Sequence, residues 1–233
     1  MKQKKSIWAV LFVMLLMVLS VNGAVAEDDA LRSGDYQYRV LEDGTAEITS
    51  YSGGDSVLKI PNTLDGKTVT SIGDQAFSGC SSLTSVELSD SMISMGVNPF
   101  AGCESLKNIR VSPEQPVFAV IDGVLFNKAE RSLICYPAGK QEEAYEVPKG
   151  IQQIKSGAFF CCSSLTSIEL PDSVTSIGER AFTGCSALTS IELPDRLTSI
   201  GDQAFWGCRA LTSIALPDSV TSIGKSAFSG CSS

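Results

Sequence analysis

Apolar and polar positions along the chain follow one template. From Leu165, the apolar residues Leu165, Ile168 and Leu170 are separated by Thr166, Ser167 and Glu169. This spacing predicts a short strand with one apolar face. Pro171-Asp172-Ser173 then breaks it, because proline cannot continue a ladder and Asp and Ser bond local backbone in turns. Val174 and Ile177 form the next inward pair, and Gly178 permits a bend. Glu179–Phe182 reads as one short helical or 3₁₀ turn, and Gly184-Cys185 closes the unit. The same unit restarts at Leu188 and Leu211, and its marker phenylalanines, Phe159, Phe182, Phe205 and Phe228, recur every 23 residues. Phe77 and Phe100 show the same step upstream. A unit this short cannot bury its own apolar face, so copies must stack into a solenoid.

Two segments depart from the template. Between Phe100 and Phe159 the chain carries one insertion. Within it, Gly123–Asn127 and Ser132–Tyr136 have strand composition and are joined by Lys128–Arg131, which predicts a β-hairpin riding on the solenoid. Lys155 also stands where the template has Gly178. Upstream, Tyr36, Tyr38 and Val40 alternate, as do Ala46 and Ile48, around a turn at Gly44. This hairpin is expected to cap the first coil, preceded by a polar tail over 27–33. After Ser233 no capping segment follows, so the last coil is expected to expose Leu211, Ile214, Leu216, Ile223 and Phe228, and to fray or self-associate end to end.

Residues 1–26 join three lysines, an apolar run and Ala24-Val25-Ala26, the layout of a cleaved secretory signal. The chain is therefore expected to be secreted or on the cell surface, without a membrane span after cleavage. Eight cysteines in an exported chain ordinarily mean disulfides. Here Cys80, Cys103, Cys162, Cys185, Cys208 and Cys231 each lie three residues after the repeat Phe. They form an inward ladder of small, buried free thiols; Cys135 and Cys161 fall outside it. The chain has no histidine and a net charge of −8. The first removes the commonest general base and metal ligand, so no catalysis, cofactor or metal site is expected. The second disfavours nucleic acid.

Outward strand positions are the candidate binding residues: Glu87, Lys107, Arg110, Thr166, Glu169, Thr189, Glu192 and Thr212. Successive turns stand about 4.8 Å apart, so these make parallel polar stripes. Lys107 and Arg110 interrupt an otherwise acidic or neutral face and are the best candidates to receive an acidic segment of a protein partner. The recurring Asp172, Asp195 and Asp218 read as turn residues rather than catalytic acids, and Trp206 as a half-exposed aromatic on the outer side.

The unit L-T-S-I-E-L-P-D-S-V-T-S-I-G-x-x-A-F-x-G-C-S-S resembles the BspA-like leucine-rich repeats of bacterial and protozoan surface proteins. The resemblance runs from about Tyr38 to Ser233 and includes VIDGVLF and LICYPAGK in the insertion. It implies a mostly β, right-handed leucine-rich-repeat solenoid whose strands line a concave face. It also implies adhesion through host or extracellular-matrix proteins. The expected organisation is a signal peptide (1–26), a tail with a β-hairpin cap (27–57), repeats (58–111), an inserted β-hairpin (112–143) and further repeats (144–233). The alternative is that the chain is the N-terminal structural segment of a larger surface protein.

Overall fold

The computed structural model describes residues 30–232, so the expected signal peptide lies outside the described residues. Three antiparallel strands open the fold: β1 (Leu31–Ser33), β2 (Tyr36–Val40) and β3 (Ala46–Tyr51). β2 and β3 form the expected hairpin around Gly44, which adopts a φ of 82°. Leu31–Ser33, expected in a polar tail, instead pairs antiparallel with β2 and extends the sheet.

The first coils supply β4 (Val57–Lys59), β5 (Thr63–Leu64), β6 (Lys67–Ile72), β7 (Ser85–Glu87), β8 (Ser94–Met95) and β9 (Asn108–Arg110). They sort into two parallel ladders. β4, β7 and β9 carry the L-x-x-I-x-L segments and make the strand face. β3, β6 and β8 make a second ladder from the S-I segments, with β5 folded antiparallel onto β6.

The insertion supplies β10 (Phe118–Ile121), β11 (Val124–Asn127) and β12 (Ser132–Cys135). The expected hairpin is β11–β12, and β10 adds a third antiparallel strand. It does not ride on the solenoid, however. β12 pairs parallel with the next rung, and β11 and β12 are buried on both faces. Val124, Phe126 and Leu133 point into one apolar core, while Leu125, Ile134 and Cys135 point into another. Period-2 alternation puts successive side chains on opposite faces, so this ribbon is a wall between two cores. Its near-continuous apolar composition is what a strand buried on both faces requires.

Beyond the wall come β13 (Ala144–Glu146), β14 (Gln153–Ile154), β15 (Ser167–Glu169), β16 (Ser176–Ile177), β17 (Ser190–Glu192), β18 (Ser199–Ile200) and β19 (Ser222–Ile223). β13, β15 and β17 continue the strand face in register, and β14, β16, β18 and β19 the second ladder. No helix occurs among the described residues. The Glu179–Phe182 segment, expected as a helical turn, is a run of turns because Arg180 takes a left-handed φ of 54°. Leu211–Pro217 forms no strand. There the backbone bond to the preceding coil comes from Ala210 N–H to Ser186 O, at 3.2 Å, and the chain leaves the ladder early.

Phenyl rings hold the stack. Phe159–Phe182, Phe182–Phe205 and Phe205–Phe228 lie 5.0, 5.1 and 5.4 Å apart between centroids, nearly parallel. Offset stacking at this spacing adds attraction beyond area burial. Tyr136 takes the Phe position in the insertion, 5.3 Å from Phe159, and Tyr51 takes it in the cap, 5.4 Å from Phe77. The six repeat cysteines are free, as expected, with Cys103, Cys162, Cys185 and Cys208 buried, and Cys135 and Cys161 are free as well.

Candidate functional site

The strand face is built by the residue two positions before the repeat proline, or before its replacement. In the first half this position holds Lys59, Glu87 and Arg110, opposite one another in register. The Lys59 ammonium lies 2.6 Å from the Glu87 carboxylate, so charge alternates across these three rungs. In the second half it holds Glu146, Glu169 and Glu192, again in register and all exposed. Rungs about 4.8 Å apart leave three like charges side by side, which destabilises a sheet unless something external compensates. Among the described residues no cation lies in ion-pair range of these three carboxylates. Nor do three metal-ligating side chains converge anywhere among the described residues. The three strands bound a shallow depression of ≈ 650 Å³, floored by Tyr145, Ile168 and Ile191.

Lys107 precedes β9 and is exposed. It lines a second shallow groove of ≈ 470 Å³, with Asn108, Gly139, Lys140, Gln141 and Glu142. This groove lies where the insertion meets the strand face, since Gly139 N–H donates to Leu106 O at 2.8 Å. Lys140 is held there by Asp122 O at 2.9 Å and by Glu142 at 3.0 Å. Arg110 is exposed at the end of β9 but does not line the groove. The structure thus places the two basic candidates near one another without converging them on one pocket.

The threonines have another role. Thr166 Oγ1 donates to Glu143 O at 2.9 Å and Thr189 Oγ1 to Thr166 O at 3.0 Å, each reaching one coil back. Thr84, Thr175, Thr198 and Thr221 do the same. These hydroxyls tie coil to coil and are committed to the fold. Thr212 is exposed but lies in the segment that leaves the ladder, so it does not extend the stripe. Trp206 is half-exposed, as expected.

Sequence reasoning missed Lys59 and Glu146. The signal was present: Lys59 precedes Pro61, and Glu146 precedes Pro148, by the same two residues as Glu169 precedes Pro171. The groove beside Lys107 left no such signal, because its far wall comes from the insertion.

Among curated proteins none matches the chain. Solved structures do. The pneumococcal vaccine antigen PcpA is 22% identical, with 86% of this chain and 78% of that chain covered and a TM-score of 0.59. A leucine-rich repeat protein from Bacteroides ovatus is 24% identical, with 86% and 56% covered and a TM-score of 0.51. At these identities the likeness concerns the fold. Residues 56–130 and 138–233 match the BspA type leucine-rich repeat region, in six copies. The match spans most of the chain, and both ladders follow its period: the chain belongs to the BspA type leucine-rich repeat family.

Proposed function

We propose that this chain is an exported, non-catalytic binding module, secreted or held at the cell surface, that docks an extracellular protein on its strand face. The observation that carries the reading is the division of labour on that face. Threonine hydroxyls and inward aliphatic residues hold the coils together, while Glu146, Glu169, Glu192 and Arg110 stand exposed with no part in the coil-to-coil bonding. Charges spent on nothing structural are available to a partner, where complementary potential sets orientation and association rate. The face is also polarised. Lys107 and Arg110 lie at the insertion side, and the three glutamates beyond it. A partner that presents an acidic patch to the former and basic groups to the latter fits both. An adhesive role toward host or matrix proteins agrees with the apolar N-terminal leader and with the family. The lack of histidine and the dispersed carboxylates favour binding over catalysis.

The test is binding of the chain to a panel of purified extracellular-matrix proteins by surface plasmon resonance, with Lys107→Glu/Arg110→Glu beside the parent. The double reversal is expected to weaken binding by about 1–3 kcal/mol. Glu179→Gln, on another side of the coil, is expected to change nothing. Retained binding by the folded double variant would move the site off this face.

A further inference from the structure

The second ladder is continuous except at one place. β6 pairs with β3 and β8, β14 with β12 and β16, β16 with β14 and β18. β8 pairs with β6 alone, and among the described residues no strand takes its other edge. The chain turns away there into the insertion, and the ladder resumes only at β12. What remains is a cavity of ≈ 310 Å³. Ile93, Met95 and Val97 form one wall, and Phe118, Ile134 and Lys155 contribute to the other.

The residues at this edge differ from those of every other repeat. At the position of Ile93 the other coils carry Thr70, Gln152, Thr175, Thr198 and Thr221; at the position of Val97 they carry Asp74, Ser156, Glu179, Asp202 and Lys225. Both positions are apolar only in this coil; β19, whose outer edge also has no strand partner among the described residues, keeps Thr221 and Lys225. Ile93 and Val97 are 55% and 48% exposed. An unpaired edge is normally protected by charge or proline, because free main-chain groups beside apolar side chains recruit another strand. At β8 that protection is absent, whereas Lys225 supplies it beside the unpaired edge of β19.

We propose that this gap is a peptide-binding site in which an extended segment of a partner protein adds to β8 as a new strand. Main-chain pairing supplies affinity, and alternate side chains supply specificity, as in other strand-addition complexes. The occupant's chemistry follows from the walls. Apolar β-branched residues at alternate positions meet Ile93 and Val97. One basic residue suits the charge: Glu130 is paired with Lys155 at 2.8 Å, which leaves Asp74 as the uncompensated charge. Asp74 Oδ1 already accepts the Val97 N–H at 2.6 Å, which fixes the carboxylate at the rim. The gap has a wall on each side, so it admits a single extended segment rather than the edge of a second folded copy. This site lies on the second ladder and stands apart from the strand face.

The probe is a capped, fluorescein-labelled heptapeptide of alternating valine and threonine with a central lysine, followed by anisotropy on the full chain. Saturable binding is expected. N-methylating the peptide's alternate amides is expected to weaken it at least about tenfold, since a lost main-chain bond series exceeds the 1.4 kcal/mol that a decade represents. A central glutamate in place of the lysine is expected to weaken it too. Ile93→Thr/Val97→Lys, which installs the residues of the Thr221–Lys225 coil, is expected to reduce binding by a similar factor. Lys107→Glu/Arg110→Glu is expected to leave it intact. No saturable binding, equal binding of the N-methylated peptide, or equal binding by the folded Ile93→Thr/Val97→Lys variant would overturn the proposal. So would a dimer in sedimentation that this variant abolishes, because the edge would then belong to a second copy.

Discussion

The Cys208 thiol donates to the main-chain carbonyl of Phe182, at 3.2 Å, one coil earlier. The relationship repeats from Cys103 to Phe77, Cys185 to Phe159 and Cys231 to Phe205, at 3.0, 3.1 and 3.3 Å. Cys162 reaches Tyr136 at a longer 3.7 Å. The repeat cysteine is therefore both an apolar filler and a donor to a carbonyl that the turn leaves facing the core. The Phe182 carbonyl also accepts the Cys185 N–H at 3.2 Å, so Cys208→Ala removes one of its two bonds and is expected to cost about 0.5–1.5 kcal/mol for that bond. Cys208→Ser keeps the donor and is expected to cost less. Urea unfolding of both variants decides the matter: a serine variant less stable than the alanine variant would make the thiol a filler only.

Phe182 is fully buried between Phe159 and Phe205. Neighbouring coils cannot close over a lost ring without shifting their own ladders. Phe182→Ala is expected to destabilise by about 3–5 kcal/mol, read from denaturant unfolding. A loss below about 1 kcal/mol would place the ring outside the core.

Alkaline pH is expected to weaken the fold. Burial pushes the Cys103 and Cys135 thiols up to about 12 from an ordinary 9.0. The unfolded chain loses these protons first, so the stabilisation is complete below the ordinary value and is lost as pH rises toward the folded one. The urea midpoint is expected to fall steadily between about pH 9 and about pH 12, and alkylation at the lower end to need unfolding. Rapid alkylation of every thiol in the folded chain would contradict this.

Gly201 marks where one coil lies against the last. A Cβ added there would stand 2.5 Å from the Glu179 main-chain nitrogen. Gly201→Ala is expected to cost about 1–3 kcal/mol, since backbone cannot step aside as a side chain does. Lys155 occupies the same template position without penalty, because the coil before it is the insertion and has no such turn beneath it. Lys155→Gly is accordingly expected to leave the unfolding midpoint little changed.

The repeat period, the inward set from Leu165 to Cys185 and the two hairpins were legible in the sequence. Each rests on a local rule: alternation, turn chemistry or a fixed interval. Glu87, Glu169 and Glu192 were recognised as outward for the same reason. The threonines were not assigned their role, because a hydroxyl on a strand reads alike whether it faces a partner or the carbonyl of the coil below. Cys161 shows the same limit. It takes the left-handed position that Gly184 holds one coil later, with φ of 59°, and composition alone does not reveal that a non-glycine residue accepts this strain.

The sequence by itself determined that copies of one unit stack, since an interval of 23 residues with a fixed apolar set leaves no other way to bury it. Only the tertiary structure decided how the insertion enters the stack. Its strands alternate in both directions, and whether a ribbon lies on a solenoid or divides it depends on which surfaces are available to cover its two apolar faces. The same contingency opened the edge of β8: the chain order places Ile93 and Val97 in a repeat, but only the path of the following residues left β8 without a second strand beside it.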